Sequence, residues 1–289
     1  MRAGPLAITR GAPGQLRHLD RMEGTDDVKP PVVILCGGKG TRLSEETGAR
    51  PKPMVEIGRR PIVWHIMKHY AYYGFDRFVL ALGYRGDQIK TYFYNYRITG
   101  SDFTITLDPS VEPEIHGRPQ AESWQITCVD TGEDTLKGGR IKRLKAFIGD
   151  ADRFHLTYGD GVADIDIAAL DAFHIAHDGL GTVSAVRPPS RFGEMVIEGD
   201  RVRRFEEKPQ LASGFINGGY FVFDRAFLDY LSPDEDCDLE FGALQKLAED
   251  GALRVRPHEG FWQCMDTARE RDYLEALWAR GEAPWRVWE

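Results

Sequence analysis

Short apolar runs recur along the chain. Val32–Cys36 is a β-branched run that stops at two glycines, and Arg77–Leu82, Phe154–Tyr158 and Gly181–Val186 are runs of similar length. Continuous apolar runs of this length are typical of strands that are buried on both faces of a sheet. Val32–Cys36 therefore predicts a buried parallel strand, and the other three segments predict further strands.

Stretches with helical spacing of apolar residues lie between these runs. Pro61–Tyr73 begins with proline, a favoured first residue of a helix, and Asp87 is expected to cap a helix that continues to Tyr94. The other predicted elements are helices Gly138–Ile148, Asp166–His177 and Ala268–Arg280, strands Phe103–Leu107, Trp124–Asp130, Phe215–Phe223 and Leu253–Arg256, and a hairpin Val196–Glu206 that turns at Gly199-Asp200. The alternation predicts a Rossmann-like α/β fold, with a mostly parallel layered sheet and a small β-hairpin subregion.

Two stretches lack this periodicity. Residues 1–30 are rich in Gly, Pro, Arg and Asp, and we expect a flexible leader there, followed by one domain over residues 31–289. The Pro- and Glu-rich stretch Asp108–Ser123 predicts a loop or an arm.

Composition and charge narrow the function classes. Lys+Arg 37 against Asp+Glu 45 gives a net charge of −8, which disfavours a general nucleic-acid binder because such proteins are basic. No apolar run approaches the ~18 residues of a membrane span, and no secretory signal follows Arg2. The four cysteines have no CxxC spacing, which predicts reduced thiols. We expect a cytoplasmic protein without nucleic-acid or membrane partners.

The first predicted strand leads into a glycine-rich segment, Gly37-Gly38-Lys39-Gly40-Thr41-Arg42. Glycines let backbone N–H groups approach an oxyanion, and a guanidinium group suits phosphate. Open α/β sheets bind nucleotides at this position, although the segment matches neither G-x-G-x-x-G nor G-x-x-x-x-G-K-[ST]. It predicts a phosphate site of neither the dinucleotide-binding nor the P-loop type; a plain strand-to-helix turn is the alternative.

Three ionisable residues occupy positions that suit phosphate and metal chemistry. Pro51 and Pro53 restrain the backbone of Lys52, so that a fixed ammonium group would neutralise phosphate charge. Asp160 follows a predicted strand between two glycines, where a carboxylate can reach a metal, and Asp266 precedes the last predicted helix. A solvated lysine, a turn and a helix N-cap are the respective alternatives.

Two further segments place polar groups beside predicted strands. Asn217-Gly218-Gly219 interrupts an apolar strand, where a buried Asn requires a partner such as a ligand hydroxyl. Glu206-Glu207-Lys208-Pro209 ends the predicted hairpin, and a charged hairpin end is the alternative to a ligand contact.

These motifs occur together in one known family. GGKGTRL followed by PKPM resembles the signature of the sugar nucleotidyltransferases, and LCGGKGTRLSEETGARPKPMVEIGRRPIVWHIMKHY resembles their glucose-1-phosphate cytidylyltransferase branch. VDTGEDTLKGGRIKR, TYGDGVADIDI, RFGEMVI, FEEKP, FINGGYFV, GFWQCMDTARE and LWARGEAPWRVWE follow in matching order, from about Val32 to Glu289. The resemblance implies a nucleotidyltransferase domain, a homo-oligomer, Mg²⁺ and the reaction CTP + α-D-glucose 1-phosphate → CDP-glucose + pyrophosphate.

The resemblance also implies roles for individual residues. Arg42 and Lys52 would act on the CTP phosphates and Lys208 on the sugar phosphate, while Asp160 and Asp266 would bind Mg²⁺. The nucleotide site would comprise Leu35, Gly37, Gly38, Gly40, Thr41, Arg42, Lys52, Thr131, Thr135, Arg140, Gly159 and Asp160, and the sugar site Glu207, Lys208, Asn217 and Gly218. The sugar phosphate would attack the α-phosphorus in line without a general base, because a phosphate monoester is already largely dianionic at neutral pH.

Some alternatives stay open on the sequence. Lys137 stands where the family has Thr and Cys36 where it has Ala, and Arg140 also fits the exposed face of a basic helix. The nearest alternative activity is the same chemistry with UTP, dTTP or another hexose 1-phosphate. A sugar-nucleotide sensor without catalysis and a glycosyltransferase that uses Asp164-Ile165-Asp166 as its metal motif are more distant alternatives.

Overall fold

The computed structural model describes residues 29–40, 50–117, 122–188, 194–198, 201–206 and 214–289. The strands are β1 (Val32–Leu35), β2 (Glu56–Ile57), β3 (Arg60–Pro61), β4 (Arg77–Leu82), β5 (Asp102–Thr104), β6 (Glu114–His116), β7 (Gln125–Asp130), β8 (Arg153–Tyr158), β9 (Gly161–Ala163), β10 (Gly181–Val186), β11 (Glu194–Glu198), β12 (Arg201–Glu206), β13 (Ile216–Asp224), β14 (Leu253–His258) and β15 (Trp262–Cys264). The predicted α/β fold is confirmed, and the predicted hairpin corresponds to β11 and β12, with its turn at 199–200 outside the described residues.

Helices lie between the strands. The α-helices are α1 (Ile62–Tyr72), α2 (Gly86–Tyr94), α3 (Tyr96–Thr99), α4 (Lys137–Arg143), α5 (Lys145–Ile148), α6 (Ile167–Ile175), α7 (Gln245–Glu249) and α8 (Ala268–Ala279). Lys52–Met54 and Arg225–Tyr230 form 3-10 turns, and Leu239–Leu244 forms a π-helix. Across the described ranges, no helix is both long enough and apolar enough to cross a membrane.

A seven-stranded sheet of order β14-β10-β13-β8-β1-β4-β7 forms the centre of the domain. Strand β1 pairs in parallel with both β4 and β8, whereas β13 runs antiparallel to β8 and β10. The carboxyl ends of β1 and β8 and the start of β13 therefore meet at one edge of the sheet. The chain reverses its strand order between β1 and β8, which is where open α/β sheets bind ligands.

Both faces of the sheet are buried, as the continuous apolar runs predict. Within β1, Val32 and Ile34 belong to one hydrophobic cluster and Val33 to the other. Helices α1, α6 and α8 cover the first face, while α4, α5, α7 and the 3-10 turn Arg225–Tyr230 cover the second. The result is a three-layer arrangement that holds the strand ends rigidly.

Three predicted elements were wrong in their details. Helix α2 begins at Gly86 with Arg85 at the N-cap position, so Asp87 lies in the first turn, where its charge still favours the helix N-terminus. The predicted helix Gly138–Ile148 is divided into α4 and α5 because the chain turns at Leu144, whose side chain is fully buried. The predicted strand Phe103–Leu107 ends at Thr104, and part of the predicted arm pairs with it as β6.

The segment after helix α8 returns to the core. Trp285 is fully buried, and its indole nitrogen donates to His65 Nδ1 at 3.4 Å. Its ring lies 5.6 Å from that of Phe261, and Trp278 also packs against the same cluster. Aromatic residues at this end of the sequence therefore complete the hydrophobic layer beneath helix α1.

A buried ion pair joins helix α6 to the sheet. Arg153 donates to both carboxylate oxygens of Asp171, at 2.8 and 2.9 Å, and His155 Nε2 lies 3.1 Å from Asp171 Oδ1. Burial by itself raises the pKa of Asp171, but the hydrogen bonds from His155 and Arg153 outweigh it and hold that pKa well below its usual value. The carboxylate therefore stabilises the folded state as an anion.

Replacing Asp171 with Asn is expected to lower the free energy of unfolding by about 2–3 kcal/mol near pH 7, because charged hydrogen bonds are lost. The contribution of Asp171 is complete above its unfolded pKa of ~3.9 and disappears as pH falls towards the lower folded value. The difference between the two proteins should thus narrow below pH ~4. Urea denaturation at pH 7 and pH 3.5 measures the difference in the free energy of unfolding between the two proteins. A difference that is unchanged at the lower pH would contradict a stabilising role of the Asp171 anion.

Candidate active site

A cleft of about 530 Å³ opens at the edge of the sheet where β1, β8 and β13 meet. Its walls contain most of the described residues that the sequence singled out for nucleotide, sugar and metal binding: Leu35, Gly37, Gly38, Gly40, Lys52, Thr135, Arg140, Gly159, Asp160, Asn217, Gly218 and Asp266. Thr41, Arg42, Glu207 and Lys208 lie outside the described residues. The fold thus brings together segments that are more than two hundred residues apart in sequence.

The centre of the cleft is an ammonium group held by two carboxylates. Lys52 Nζ donates to Asp160 Oδ2 at 2.7 Å and also contacts Asp266 Oδ1 directly. The Lys52 side chain is only 10% exposed, against 33% for Asp160 and 19% for Asp266. The lysine is therefore not the solvated surface residue that was the alternative interpretation.

The local structure explains why these three residues meet. Pro51 precedes a 3-10 turn that starts at Lys52, and this turn fixes the lysine backbone below the cleft. Asp160 precedes β9 and Asp266 follows β15, and these two short strands pair in antiparallel fashion with Cys264 opposite Gly161. The antiparallel pairing places both carboxylates at the same end of the small sheet.

Asp266 is not the cap of the last helix. Thr267 takes that position, and its hydroxyl accepts from the backbone of Glu270, whose side chain in turn accepts from the Asp266 and Thr267 backbone N–H groups. This capping box satisfies the helix end without the Asp266 side chain. The Asp266 carboxylate instead lines the cleft and contacts Lys52.

Electrostatics couple the three groups. Burial lowers the pKa of Lys52, but the charges and hydrogen bonds of Asp160 and Asp266 outweigh it and raise that pKa above its usual value. The lysine is therefore a cation at neutral pH, and the carboxylates converge on one positive charge.

The same geometry indicates that the site suits a divalent cation. Two carboxylates that already share one positive charge offer the hard oxygen ligands that Mg²⁺ prefers. Among the described residues, no group of three or more His, Cys, Asp and Glu side chains is arranged to hold a metal. Two carboxylates fill only part of the coordination shell of Mg²⁺, so Asp160 and Asp266 would hold such an ion together with ligand oxygens and water.

Gly37, Gly38 and Gly40 of the glycine-rich segment line the floor of the cleft beside Lys52. A methyl group at Gly37 would overlap the Arg140 guanidinium, so this glycine is required by the close approach of that side chain. Lys39 reaches out of the segment and donates to Asp134 Oδ1 at 2.8 Å. The segment is thus held from below by Arg140 and at its rim by Asp134.

Arg140 is buried rather than exposed on a basic helix, with only 5% of its surface accessible. Its guanidinium donates to five acceptors: the carbonyl oxygens of Leu82, Gly132, Glu133 and Gly37, at 2.7–3.2 Å, and the Thr131 hydroxyl at 2.9 Å. Thr131 itself lies behind the cleft wall. Burial is the main cause that lowers the pKa of Arg140. The planar fork therefore fixes the glycine segment against the chain that follows β7.

Replacing Arg140 with Lys is expected to weaken nucleotide binding by about ten- to hundredfold, because an ammonium group cannot serve the same set of acceptors and buried carbonyls lose their donors. Calorimetric titration with CTP measures the affinity, and Lys145→Ala, at an exposed position in helix α5, is the matched control. An Arg140→Lys protein that binds CTP as tightly as the unaltered chain would contradict this role.

The opposite wall contains Tyr158, which the sequence did not single out as a site residue. Tyr158 donates to Glu240 at 2.7 Å and accepts from Asn217 Nδ2 at 3.1 Å. Lys137 contacts the same Glu240 carboxylate and lies 4.7 Å from the centre of the Tyr158 ring. Asn217 is exposed, so the prediction of a buried Asn was wrong, and it has protein partners: its Oδ1 also accepts from the Gly219 backbone at 2.8 Å.

The glycines after Asn217 make room for this arrangement. Gly219 has a φ of 77°, and a Cβ there would lie 2.6 Å from the Tyr158 ring. The Gly218 carbonyl accepts from the Trp262 indole at 2.8 Å. The place of Tyr158 in the cleft could have been predicted, because it precedes Gly159 at the end of a strand. No local signal in the sequence connects Glu240 or Trp262 to the cleft.

Comparisons with known proteins find matches that span most of the chain. The family model described as Nucleotidyl transferase matches residues 31–280. Glucose-1-phosphate cytidylyltransferases of Salmonella typhi and Salmonella typhimurium are each 48% identical over 258 residues, which span 89% of this chain and 99% of the relative. The solved structure of HddC from Yersinia pseudotuberculosis has a TM-score of 0.61 at 22% identity, over 86% of this chain and 100% of its own, and so shares the fold.

Proposed function

The chain belongs to the nucleotidyl transferase family, and from that premise we propose that it transfers CMP from CTP to α-D-glucose 1-phosphate and releases pyrophosphate. The relatives that match nearly their whole length to this chain bear the name of that activity. The observation that carries the proposal is the contact of Lys52 with both Asp160 and Asp266 beside the glycine segment. This is a site for polyphosphate and a cation.

The chemistry has to bring two anions together. An oxygen of the sugar phosphate attacks the α-phosphorus of CTP in line; the new O–P bond forms as the bond to the pyrophosphate oxygen breaks, and no proton transfer is needed. The main barrier is charge repulsion, which positioning and fixed cations reduce. A site without a general base is therefore sufficient.

Residues of this chain supply the positioning. The glycine segment would hold the triphosphate, with Lys52 and Arg42 against its phosphates, and Lys208 would hold the attacking phosphate. Asp160 and Asp266 would bind a divalent cation, which we propose to be Mg²⁺ and which supplies further neutralisation of phosphate charge when bound. Thr135, Arg140 and Asn217 all line the cleft, and we propose that the first two face the nucleotide and that Asn217 faces the sugar.

The test is a panel of nucleoside triphosphates with glucose 1-phosphate and MgCl₂, in which pyrophosphate release and the sugar nucleotide formed are measured. We expect CDP-glucose as the main product. Faster turnover with UTP or dTTP than with CTP would overturn the assignment of cytosine as the base, but the proposed reaction class would stand. Pyrophosphate release without an acceptor sugar would exclude a glycosyltransferase, and no release with any triphosphate would refute the proposal.

We also propose a cytoplasmic homo-oligomer. The β5–β6 arm and the residues between its strands expose several large apolar side chains: Phe103, Ile105, Leu107 and Val111. A second copy of the chain would cover such side chains. The buried Trp285 favours this arm over the aromatic C-terminal segment as the contact. The four cysteines form no disulfide, which suits a reducing compartment. Light scattering coupled to gel filtration tests the oligomer, and a monomer at micromolar concentration would contradict it.

A further inference from the structure

A positive group already lies between the two carboxylates that are proposed to bind the metal. One oxygen of Asp160 and one of Asp266 are committed to the Lys52 ammonium, at 2.7 Å for Asp160 and in direct contact for Asp266. We propose that Lys52 is a placeholder for the divalent cation, which it excludes from Asp160 and Asp266 until nucleotide phosphates draw the ammonium away. The inference rests on the proposed function for the identity of the nucleotide.

Exclusion follows from charge and space. The two carboxylates carry two negative charges, and the ammonium neutralises one of them. A divalent ion that binds the same pair meets a cation within hydrogen-bond distance of its own ligands, and this repulsion is poorly screened because the Lys52 side chain is mostly buried. Mg²⁺ also gives up its waters reluctantly. The ion therefore competes unfavourably as long as Lys52 stays in place.

The placeholder also stabilises the cleft whenever no metal ion is bound. Two neighbouring carboxylates without a counter-charge in a partly buried position are costly. In the free protein Lys52 supplies that charge from within the chain. The same lysine can therefore hold the site together before ligands arrive.

Phosphate groups in the cleft offer the ammonium another anionic partner. The 3-10 turn fixes the Lys52 backbone, but the four-carbon side chain is flexible. Gly37 and Gly38 line the same cleft as Lys52, so phosphates bound at these glycines would share that cleft with the ammonium group. Movement of Lys52 towards them exposes both carboxylates. Cation and nucleotide then strengthen each other's binding, because such coupling is reciprocal.

Direct binding of Mn²⁺ to the protein without nucleotide tests the inference, with the electron paramagnetic resonance signal of unbound Mn²⁺ as the readout. We expect Lys52→Met and Lys52→Gln to bind one Mn²⁺ about tenfold or more tightly than the unaltered chain, which is within the usual range of coupling between sites. Adding Asp266→Asn to Lys52→Met should abolish the gain. Unchanged Mn²⁺ affinity in folded Lys52 variants, or a gain that survives Asp266→Asn, would overturn the proposal.

Two control variants separate charge from other effects. Lys52→Arg keeps the positive charge and should bind Mn²⁺ as weakly as the unaltered chain. Lys68→Met removes a different partly buried lysine, which is paired with Glu122 at 2.8 Å, and should also leave Mn²⁺ binding unchanged. Increased affinity in either control would contradict the assignment to the charge of Lys52.

A measurement on the unaltered chain does not depend on how the variants fold. A crystal soaked in MnCl₂ without nucleotide should show Lys52 between the carboxylates and no anomalous peak for manganese there; a peak at that place would overturn the inference. Neither measurement involves turnover. A protein that makes no CDP-glucose but gains Mn²⁺ on loss of Lys52 would refute the proposed function alone, and the reverse pattern would refute the placeholder alone.

Discussion

Replacing Lys52 with Met is expected to lower kcat/KM by roughly 10²–10³, equivalent to ~3–4 kcal/mol of transition-state stabilisation, as for the loss of one oxyanion donor. The reason is that the Lys52 ammonium lines the cleft and contacts both Asp160 and Asp266. Pyrophosphate release from CTP and glucose 1-phosphate measures the effect.

Lys68→Met is the control for this variant. Lys68 lies on helix α1, forms an ion pair with Glu122 and does not line the cleft. It should retain the turnover of the unaltered chain. Melting temperatures of both variants show whether a loss of activity reflects unfolding. Near-normal turnover by a folded Lys52→Met protein would remove Lys52 from the catalytic residues.

Asp160→Asn and Asp266→Asn are each expected to lower kcat by roughly 10²–10³ and to raise the MgCl₂ concentration needed for half-maximal rate, because a metal-bound charge is worth several kcal/mol. The double variant should be little worse than either single variant, since both side chains would serve one cation. In each single variant Lys52 keeps one carboxylate partner, so the fold should persist. Initial rates over a range of MgCl₂ concentrations measure these effects.

Asp166→Asn is a matched control for the carboxylate variants. Asp166 is exposed and caps helix α6 by accepting from the Ala169 backbone at 2.8 Å, and Asn is an equally good cap. Its activity and stability should therefore be unchanged. A large loss of activity in Asp166→Asn would instead favour the Asp164-x-Asp166 motif as the metal site.

Local pattern was sufficient to predict the strands that carry the site. Strands β4 and β10 have the predicted bounds, because each ends at a clear break in the sequence. Asp160 and the glycine segment follow from the rule that parallel strands present their carboxyl ends at one edge. Their meeting in one cleft could thus be expected from the sequence.

Contacts between segments that are distant in sequence could not be predicted from local sequence patterns. Asn217 reaches the cleft because β13 runs antiparallel to β8, and the sequence of β13 does not indicate that direction. Glu240 comes from a π-helix remote in sequence, and its link to Tyr158 depends on the packing of that helix. Arg140 has the spacing of a surface residue, and only the fold reveals the carbonyls that surround it.

The position of Trp285 beneath helix α1 bears on how the protein is made. While the ribosome adds the residues between α1 and Trp285, a period of roughly ten seconds or more at ~5–20 residues per second, the apolar underside of that helix has no final cover. A nascent polypeptide in this condition is prone to association with its neighbours.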